Sequence, residues 1–286
     1  MHIPNGTTRI LGIIGHPVGH SLSPLLQNTA LAACNLNYVY VPFDVHPEKL
    51  ESAVAGLRAL GVEGFNVTIP HKSSVIPFLD HLDESAELAG AVNVVRNDGG
   101  SLIGYNTDGA GLLKSLAEDL DFIPGTGRIV VIGAGGAARG AVAALCRAGA
   151  SRLVVVNRSQ EKAFNLINSI RRHFKNIDIC AVGTAEELAP YLADCTLVLN
   201  TTSLGMNNDS IPFLKVTALQ PSVKAYDMIY TPAVTPFLRE AMSRGITCAN
   251  GSGMLIGQGE YAFNIWTGRM PPPGLMKSLF PSSYST

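Results

Sequence analysis

RIVVIGAGGAARGAVAALCRAGASRLVVVNRS, residues 128–159, reads in one pass as strand, glycine turn, helix and strand. RIVVI is a short apolar run rich in β-branched residues, the pattern of a strand buried on both faces. Gly133, Gly135 and Ala138 follow it on the G-x-G-x-x-G/A spacing of a dinucleotide-binding turn. Each must be small for a different reason. Gly133 allows the tight turn, Gly135 lets backbone amides approach a pyrophosphate, and Ala138 lets the helix pack on the sheet. The helix N-terminus then offers unpaired N–H groups to the phosphates.

An Asp or Glu at the end of the second strand would hydrogen-bond the ribose 2′-hydroxyl of NAD. This chain has Asn157 there, followed by Arg158 and Ser159. No carboxylate repels a 2′-phosphate, and a guanidinium can bind one bidentately. The pattern points to NADP; an exposed arginine in an ordinary βα loop is the alternative reading.

Downstream, predicted helices over 165–175 and 185–192 alternate with strands over 177–182 and 195–200. Strands near 223–229 and 246–249 continue the series. Strands separated by helices imply a parallel, doubly wound sheet with right-handed crossovers. NTTSLGM (200–206) and DMIYTP (227–232) follow two of these strands, at the carboxyl ends where open α/β sheets bind ligands. Thr202, Ser203 and Met228 are candidate walls for a nicotinamide, and each could equally be turn chemistry. From about Met254 the chain reads as a helix followed by a proline-rich tail.

Upstream, the first third also alternates strands and helices. Arg9–Gly15 is an apolar strand. Ser23 and Pro24 open a helix, serine as N-cap and proline in the first turn, with Leu25, Leu26, Ala30, Leu31 and Cys34 as its apolar stripe. A strand over 38–45 and a helix over 48–60 follow, the helix ending at Gly61. GFNVTIPHK (64–72) predicts a strand over 64–69. Phe65, Val67 and Ile69 point one way, Asn66 and Thr68 the other. Pro70 stops the ladder and Lys72 follows. Two uncharged hydrogen-bonding groups beside an amine suit a small, oxygen-rich ligand; an edge strand with a wet outer face is the other reading. Helical stretches continue to about Leu88. Nearby, GHPVGHSLSP (15–24) places Ser21 and Ser23 at a helix N-terminus, which favours carboxylates. GAVN (90–93) adds the Asn93 amide and GYNTDG (104–109) the Asp108 carboxylate.

Composition excludes several function classes. Lys and Arg number 21 against 22 Asp and Glu, so no excess charge draws the chain to nucleic acid or an anionic membrane. An anionic ligand must be held by local groups. No apolar run is long enough to span a bilayer and no signal segment is recognisable. The five cysteines are scattered without CxxC spacing, which suits free thiols in a reducing, cytoplasmic setting. The seven histidines lack ligand spacing. His16 and His20 lie in a loop without a Cys or carboxylate partner nearby, so no metal is expected.

Read in order, GxPxxHSxSP, NVTxPxK, GAVN, GxNTD, GAGGAA with NRS, NxTSxGM and GxxMLxxQGxxAFxxWTG (251–268) resemble the shikimate dehydrogenase family across nearly the whole chain. The resemblance implies an α/β protein of two domains. The first is an α/β substrate domain over 1–109, completed by 253–286 as the C-terminal helix returns to it. The second is a Rossmann-type NADP-binding domain over 110–252. It also implies reversible, NADP-dependent reduction of 3-dehydroshikimate to shikimate, a step of aromatic amino-acid (chorismate) biosynthesis. Lys72 and Asp108 become the catalytic pair. Ser21 and Ser23 would hold the substrate carboxylate with Tyr230 close by, and Asn66, Thr68, Asn93, Asp108 and Gln258 the ring hydroxyls. Gly133, Ala134, Gly135, Gly136, Ala137, Asn157, Arg158, Met228 and Gly251 would line the cofactor site. Gln27 and Val94 depart from the family pattern, where histidine and threonine are common, without removing a named ligand.

A broader quinate/shikimate dehydrogenase using NAD is the nearest alternative, and Asn157 with Arg158 argues against it. A non-catalytic NADP-binding sensor would have lost Lys72 or Asp108. No feature decides between a monomer and a homodimer.

Overall fold

The computed structural model describes residues 3–280. Among these, the chain divides into two compact units: residues up to Asp108 with Ile256–Phe280, and Gly109–Leu255. The six terminal residues 281–286, included in the expected first domain, lie outside the described residues.

The first unit opens with β1 (Arg9–Gly15), α1 (Ser23–Ala33), β2 (Tyr38–Asp44), α2 (Leu50–Ala59) and β3 (Gly64–Val67). β4 (His81–Leu82), α3 (Glu84–Ala89), β5 (Val94–Asp98) and β6 (Ser101–Tyr105) follow. The strand order is β2-β1-β3-β5-β6-β4, with β1 parallel to β2 and β3, and β5 antiparallel to β3 and β6. β3 is therefore an interior strand and has no wet edge. It is also shorter than expected, stopping at Val67, and Ile69 is 74% exposed instead of sharing the face of Phe65 and Val67. The β5–β6 hairpin was not expected at all. Its turn, Gly99-Gly100, takes positive φ at both residues, the requirement of the two-residue turn that matches strand twist.

The faces of this sheet divide as period-two side chains demand. Leu11, Ile13 and Tyr40 pack with α1, while Ile14, Phe65 and Val95 pack with Val54 and Leu57 of α2. Asn66, between Phe65 and Val67, belongs to the α1 face. In α1 the residue at the N-cap is Leu22, which makes no side-chain bond, and Ser23 already lies inside the helix. The Ser21 hydroxyl accepts from Ser23 N at 3.2 Å in its place. Leu25 is exposed, and the buried stripe is Leu26, Gln27, Ala30 and Leu31.

The second unit contains α4 (Asp108–Leu120, from Gly109 onward), β7 (Arg128–Ile132), α5 (Gly136–Arg147), β8 (Arg152–Val156), α6 (Gln160–His173) and β9 (Asp178–Val182). α7 (Ala185–Leu188), β10 (Cys195–Asn200), β11 (Lys224–Asp227), α8 (Pro236–Ser243) and β12 (Thr247–Asn250) complete it. The order β12-β11-β10-β7-β8-β9 is the doubly wound Rossmann order, and every pairing is parallel. Val130, Val131, Val154, Val155, Val198 and Leu199 are fully buried, as both-face coverage requires. α6 begins five residues earlier than expected because Ser159 caps it, its hydroxyl accepting from Lys162 N.

α9 (Ser252–Thr267) and α10 (Leu275–Ser278) end the described chain. Phe263 and Trp266 of α9 and Met276 of α10 join the α1-side core of the first sheet. Trp266 Nε1 donates to Val95 O at 2.9 Å, directly over Gly64. A Cβ on Gly64 would lie 2.3 Å from that nitrogen and 2.6 Å from Val95 O. Gly64→Ala is therefore expected to lower the unfolding free energy by about 2–3 kcal/mol, through overpacking and the displaced indole bond. Urea unfolding measures it, and a loss within about 0.5 kcal/mol would show that α9 shifts freely.

Candidate active site

β3 delivers the chain to a turn in which Thr68 N donates to Ile14 O and His71 N to Thr68 O. His71 is buried, and its Nε2 meets Val45 O at 2.6 Å. Because a carbonyl only accepts, that nitrogen carries the proton. The next residue, Lys72, has its carbonyl bound by Val92 N at 2.7 Å. With its backbone tied on both sides, Lys72 projects Nζ to Asp108 Oδ2 at 2.5 Å. The two side chains remain 33% and 23% exposed, so a small molecule can reach the pair.

Asp108 begins α4, and its other oxygen accepts from Asn93 Nδ2 at 2.9 Å. Asn93 is 2% exposed. Its Nδ2 also lies 2.9 Å from Thr107 Oγ1 and 3.3 Å from Gln258 Oε1, while its Oδ1 accepts from Thr107 N at 2.8 Å. Thr107 Oγ1 donates to Gln258 O at 3.0 Å, which ties α9 into the cluster. On the sheet side, Asn66 Nδ2 donates to Asn93 O at 2.9 Å, and Asn66 Oδ1 accepts from Tyr40 at 2.7 Å. Lys72, Asp108, Asn93, Asn66 and Gln258 thus form one hydrogen-bonded cluster. Tyr40 is bonded to the cluster through Asn66, whereas Ser21 and Ser23 are bonded to each other at the start of α1. Thr68 is half-buried in the turn after β3, packed against Gly15. His71, Thr107 and Tyr40 escaped the sequence reading, because each acts through a buried bond to a residue distant in sequence.

His16 departs from its expectation. Its Nδ1 lies 2.9 Å from Asp44 Oδ1 and its ring faces His46. Among the described residues, however, no group of three or more His, Cys, Asp or Glu is placed to hold a metal.

In the second unit, Gly133 takes φ +111, where a Cβ would lie 2.6 Å from Thr201 Oγ1. Gly135 precedes α5 with no side chain capping the helix, and a Cβ on either Gly135 or Gly136 would enter open space. Ala134 and Ala137 flank these glycines. Free helix N–H groups beneath an uncovered glycine surface fit a pyrophosphate. A cleft of about 250 Å³ adjoins this turn, lined by Gly133, Asn157, Arg158 and Thr202 among the expected residues. Leu204, from the quoted NTTSLGM, joins Pro212 and Phe213 in its apolar wall, and the latter two carry no sequence signal beyond an apolar dipeptide. Thr202 therefore shares a cleft with the β8 end. Ser203 is exposed, Ser159 is engaged as the α6 cap, and Tyr230 is half-buried in the loop after β11. Met228 and Gly251 meet elsewhere, where a Cβ on Gly251 would strike Met228 O at 2.0 Å.

Behind these loops lies Asp227, fully buried at the end of β11. It accepts from Asn200 Nδ2 at 3.0 Å, Ile229 N at 3.0 Å and Thr235 Oγ1 at 2.7 Å. Asn200 Oδ1 in turn accepts from Thr202 N and Oγ1. The quoted motifs contain all of these residues but Thr235, and nothing in the sequence marks Asp227 as buried.

A parallel sheet in Rossmann order with a bare glycine turn defines the dinucleotide-binding class. Family models agree on the rest. The shikimate dehydrogenase substrate binding domain matches residues 13–95, shikimate / quinate 5-dehydrogenase 118–207, and the shikimate 5'-dehydrogenase C-terminal domain 251–279. A shikimate dehydrogenase (NADP(+)) of Geobacter metallireducens is 52% identical over 95% of this chain and 96% of its own. A crystal structure of a shikimate dehydrogenase in complex with NADP+ is 38% identical, with a TM-score of 0.86 over 96% of both chains. One from Listeria monocytogenes, in complex with shikimate and NAD, is 32% identical, with a TM-score of 0.89 over 98% of both. The chain belongs to the shikimate dehydrogenase family. Among the described residues, no helix is long and apolar enough to cross a membrane.

Burial pushes the Asp227 carboxyl up to about 6, against the bonds from Ile229, Thr235 and Asn200, which favour its charged form. The native state thus holds this proton more tightly than the unfolded chain, whose carboxyl titrates near 3.8. The stabilisation is complete below about pH 4 and is lost as pH rises through about 6. Between those values, wild-type stability is expected to fall relative to Asp227→Asn by on the order of 3 kcal/mol in urea unfolding. A difference that does not vary with pH would mean that Asp227 is not buried as a proton-binding group.

Proposed function

We propose that the protein catalyses the reversible, NADP-dependent reduction of 3-dehydroshikimate to shikimate, with Lys72 and Asp108 moving the proton. The observation that carries this reading is the Lys72 Nζ–Asp108 Oδ2 contact of 2.5 Å, with the second Asp108 oxygen already held by Asn93. Bound NADP supplies the hydride acceptor or donor for carbon 3 of the substrate. The oxygen on that carbon must lose or gain a proton in the same event, which calls for a positioned acid/base within hydrogen-bond reach. In the oxidising direction Lys72 Nζ takes the hydroxyl proton. In the reducing direction the ammonium returns it and stabilises the developing alkoxide. Asp108 holds the amine in place and shares the same hydroxyl.

The neutral donors Ser21 and Ser23 are assigned to the substrate carboxylate, which suits a chain of net charge −1 with no basic field to spare. Asn66, Thr68, Asn93 and Gln258 are assigned to the ring hydroxyls. The first unit is thus the substrate domain and the second the NADP domain. In the latter, the turn at Gly133, Ala134, Gly135, Gly136 and Ala137 takes the pyrophosphate, and Asn157 with Arg158 the 2′-phosphate. Thr202 is assigned with them to the adenosine end, and Met228 with Gly251 to the nicotinamide end. Free cysteines suit a cytoplasmic enzyme.

Purified protein is expected to form NADPH from shikimate and NADP+, followed by absorbance. Lys72→Ala should lower kcat by roughly 10²–10⁴-fold, while calorimetry shows shikimate binding weakened by less than about tenfold. Retained turnover would take the lysine out of the mechanism. Arg158→Ala should raise KM for NADP+ by about 10–100-fold and leave KM for NAD+ nearly unchanged, since one charge-assisted contact is lost only with the phosphorylated cofactor. Equal effects on both cofactors would refute the 2′-phosphate assignment.

A further inference from the structure

The first unit contains a buried tyrosine that neither the motifs nor the proposed mechanism uses. Tyr40 lies on β2 and is 2% exposed. β1 separates β2 from β3, and the Tyr40 side chain spans it to donate to Asn66 Oδ1 at 2.7 Å.

The direction of this bond follows from counting protons. Asn66 Nδ2 is committed to Asn93 O, so its Oδ1 faces Tyr40 and can only accept. The single phenol proton therefore goes to Asn66. Burial raises the phenol well above its ordinary titration range, so the proton stays in place at every pH at which the protein is handled. Asn66 is left with one uncommitted N–H, and its amide cannot turn over without setting two buried oxygens against each other.

The backbone of Tyr40 is fixed as tightly as its tip. Asn28 of α1 accepts from Tyr40 N at 2.9 Å and donates to Tyr40 O at 2.8 Å. β2 is an edge strand, and this amide replaces the missing neighbour strand at one residue. The ring packs beside Trp266 of α9, with centroids 6.0 Å apart.

We propose that Tyr40 is a positioning residue that sets the donor direction of one substrate contact, presenting an N–H from Asn66 to a ring hydroxyl. The inference rests on the reading of Asn66 as a ligand of a polyhydroxylated cyclic acid. The Tyr40 hydroxyl bonds Asn66 and not the Lys72–Asp108 pair.

Tyr40→Phe keeps the ring and removes the oxygen. It is expected to raise KM and Kd for shikimate about three- to tenfold, the worth of one neutral hydrogen bond. KM for NADP+ should stay within about twofold and kcat within about threefold of wild type. Asn28→Ala loosens the backbone clamp and leaves the phenol, so it should move the shikimate KM in the same direction; it decides the question if Tyr40→Phe does not fold. An unchanged shikimate KM, or KM values for both substrates rising together, would overturn the positioning role and leave a structural one. Wild-type protein that neither binds nor oxidises shikimate would instead overturn the functional reading itself.

Discussion

The buried amide of Asn93 is the constraint on which the first unit depends. It is almost fully removed from water, and its carbonyl and both side-chain polar atoms are engaged. Its carbonyl receives Asn66 from β3, its side-chain oxygen receives the backbone of Thr107, and its side-chain nitrogen faces Asp108 and Gln258. Leaving any one of these groups unpaired would cost about 1–3 kcal/mol. Three stretches far apart in sequence, around Asn66, Thr107-Asp108 and Gln258, are thereby fixed about one residue. The Lys72–Asp108 pair inherits its geometry from that arrangement more than from its own attraction, since a partly exposed ion pair contributes only about 0–1 kcal/mol.

The two sheets answer different chemical needs. A dinucleotide is bound by backbone: bare glycines, a helix N-terminus and the carboxyl ends of parallel strands. Continuous apolar strands supply this, and the buried Asp227–Asn200–Thr235 bonds join the loops that follow β10 and β11. A small polyhydroxylated acid must be bound by side chains at fixed angles. The mixed sheet suits that task, because its antiparallel hairpin brings Asn93 and Asp108, fifteen residues apart, to within hydrogen-bond distance.

Local pattern made the second sheet legible. RIVVI, the glycine turn and LVVV each carry their fold in a few consecutive residues, and all six of its strands stand near their expected places. The first sheet was read less well. β5 and β6 are short and carry Arg, Asn and Asp at their turn, so apolar alternation is weak; Gly99-Gly100 was the available signal and went unused. With the hairpin missing, β3 could not be recognised as interior, nor Ile69 as exposed. The site divides the same way. Lys72, Asp108, Asn93, Asn66 and Gln258 were named from motifs and now form one cluster. Tyr40, His71, Thr107 and Asp227 were not, because hydrogen bonds to buried partners leave no periodic trace in sequence.

A double-mutant cycle on the Lys72–Asp108 pair tests most directly whether the two residues act as one unit. kcat/KM for shikimate oxidation would be measured for wild type, Lys72→Ala, Asp108→Ala and the double variant. For a single proton-handling unit, the double variant should be within about threefold of the slower single variant. Losses that multiply would show two independent contributions and contradict the pairing.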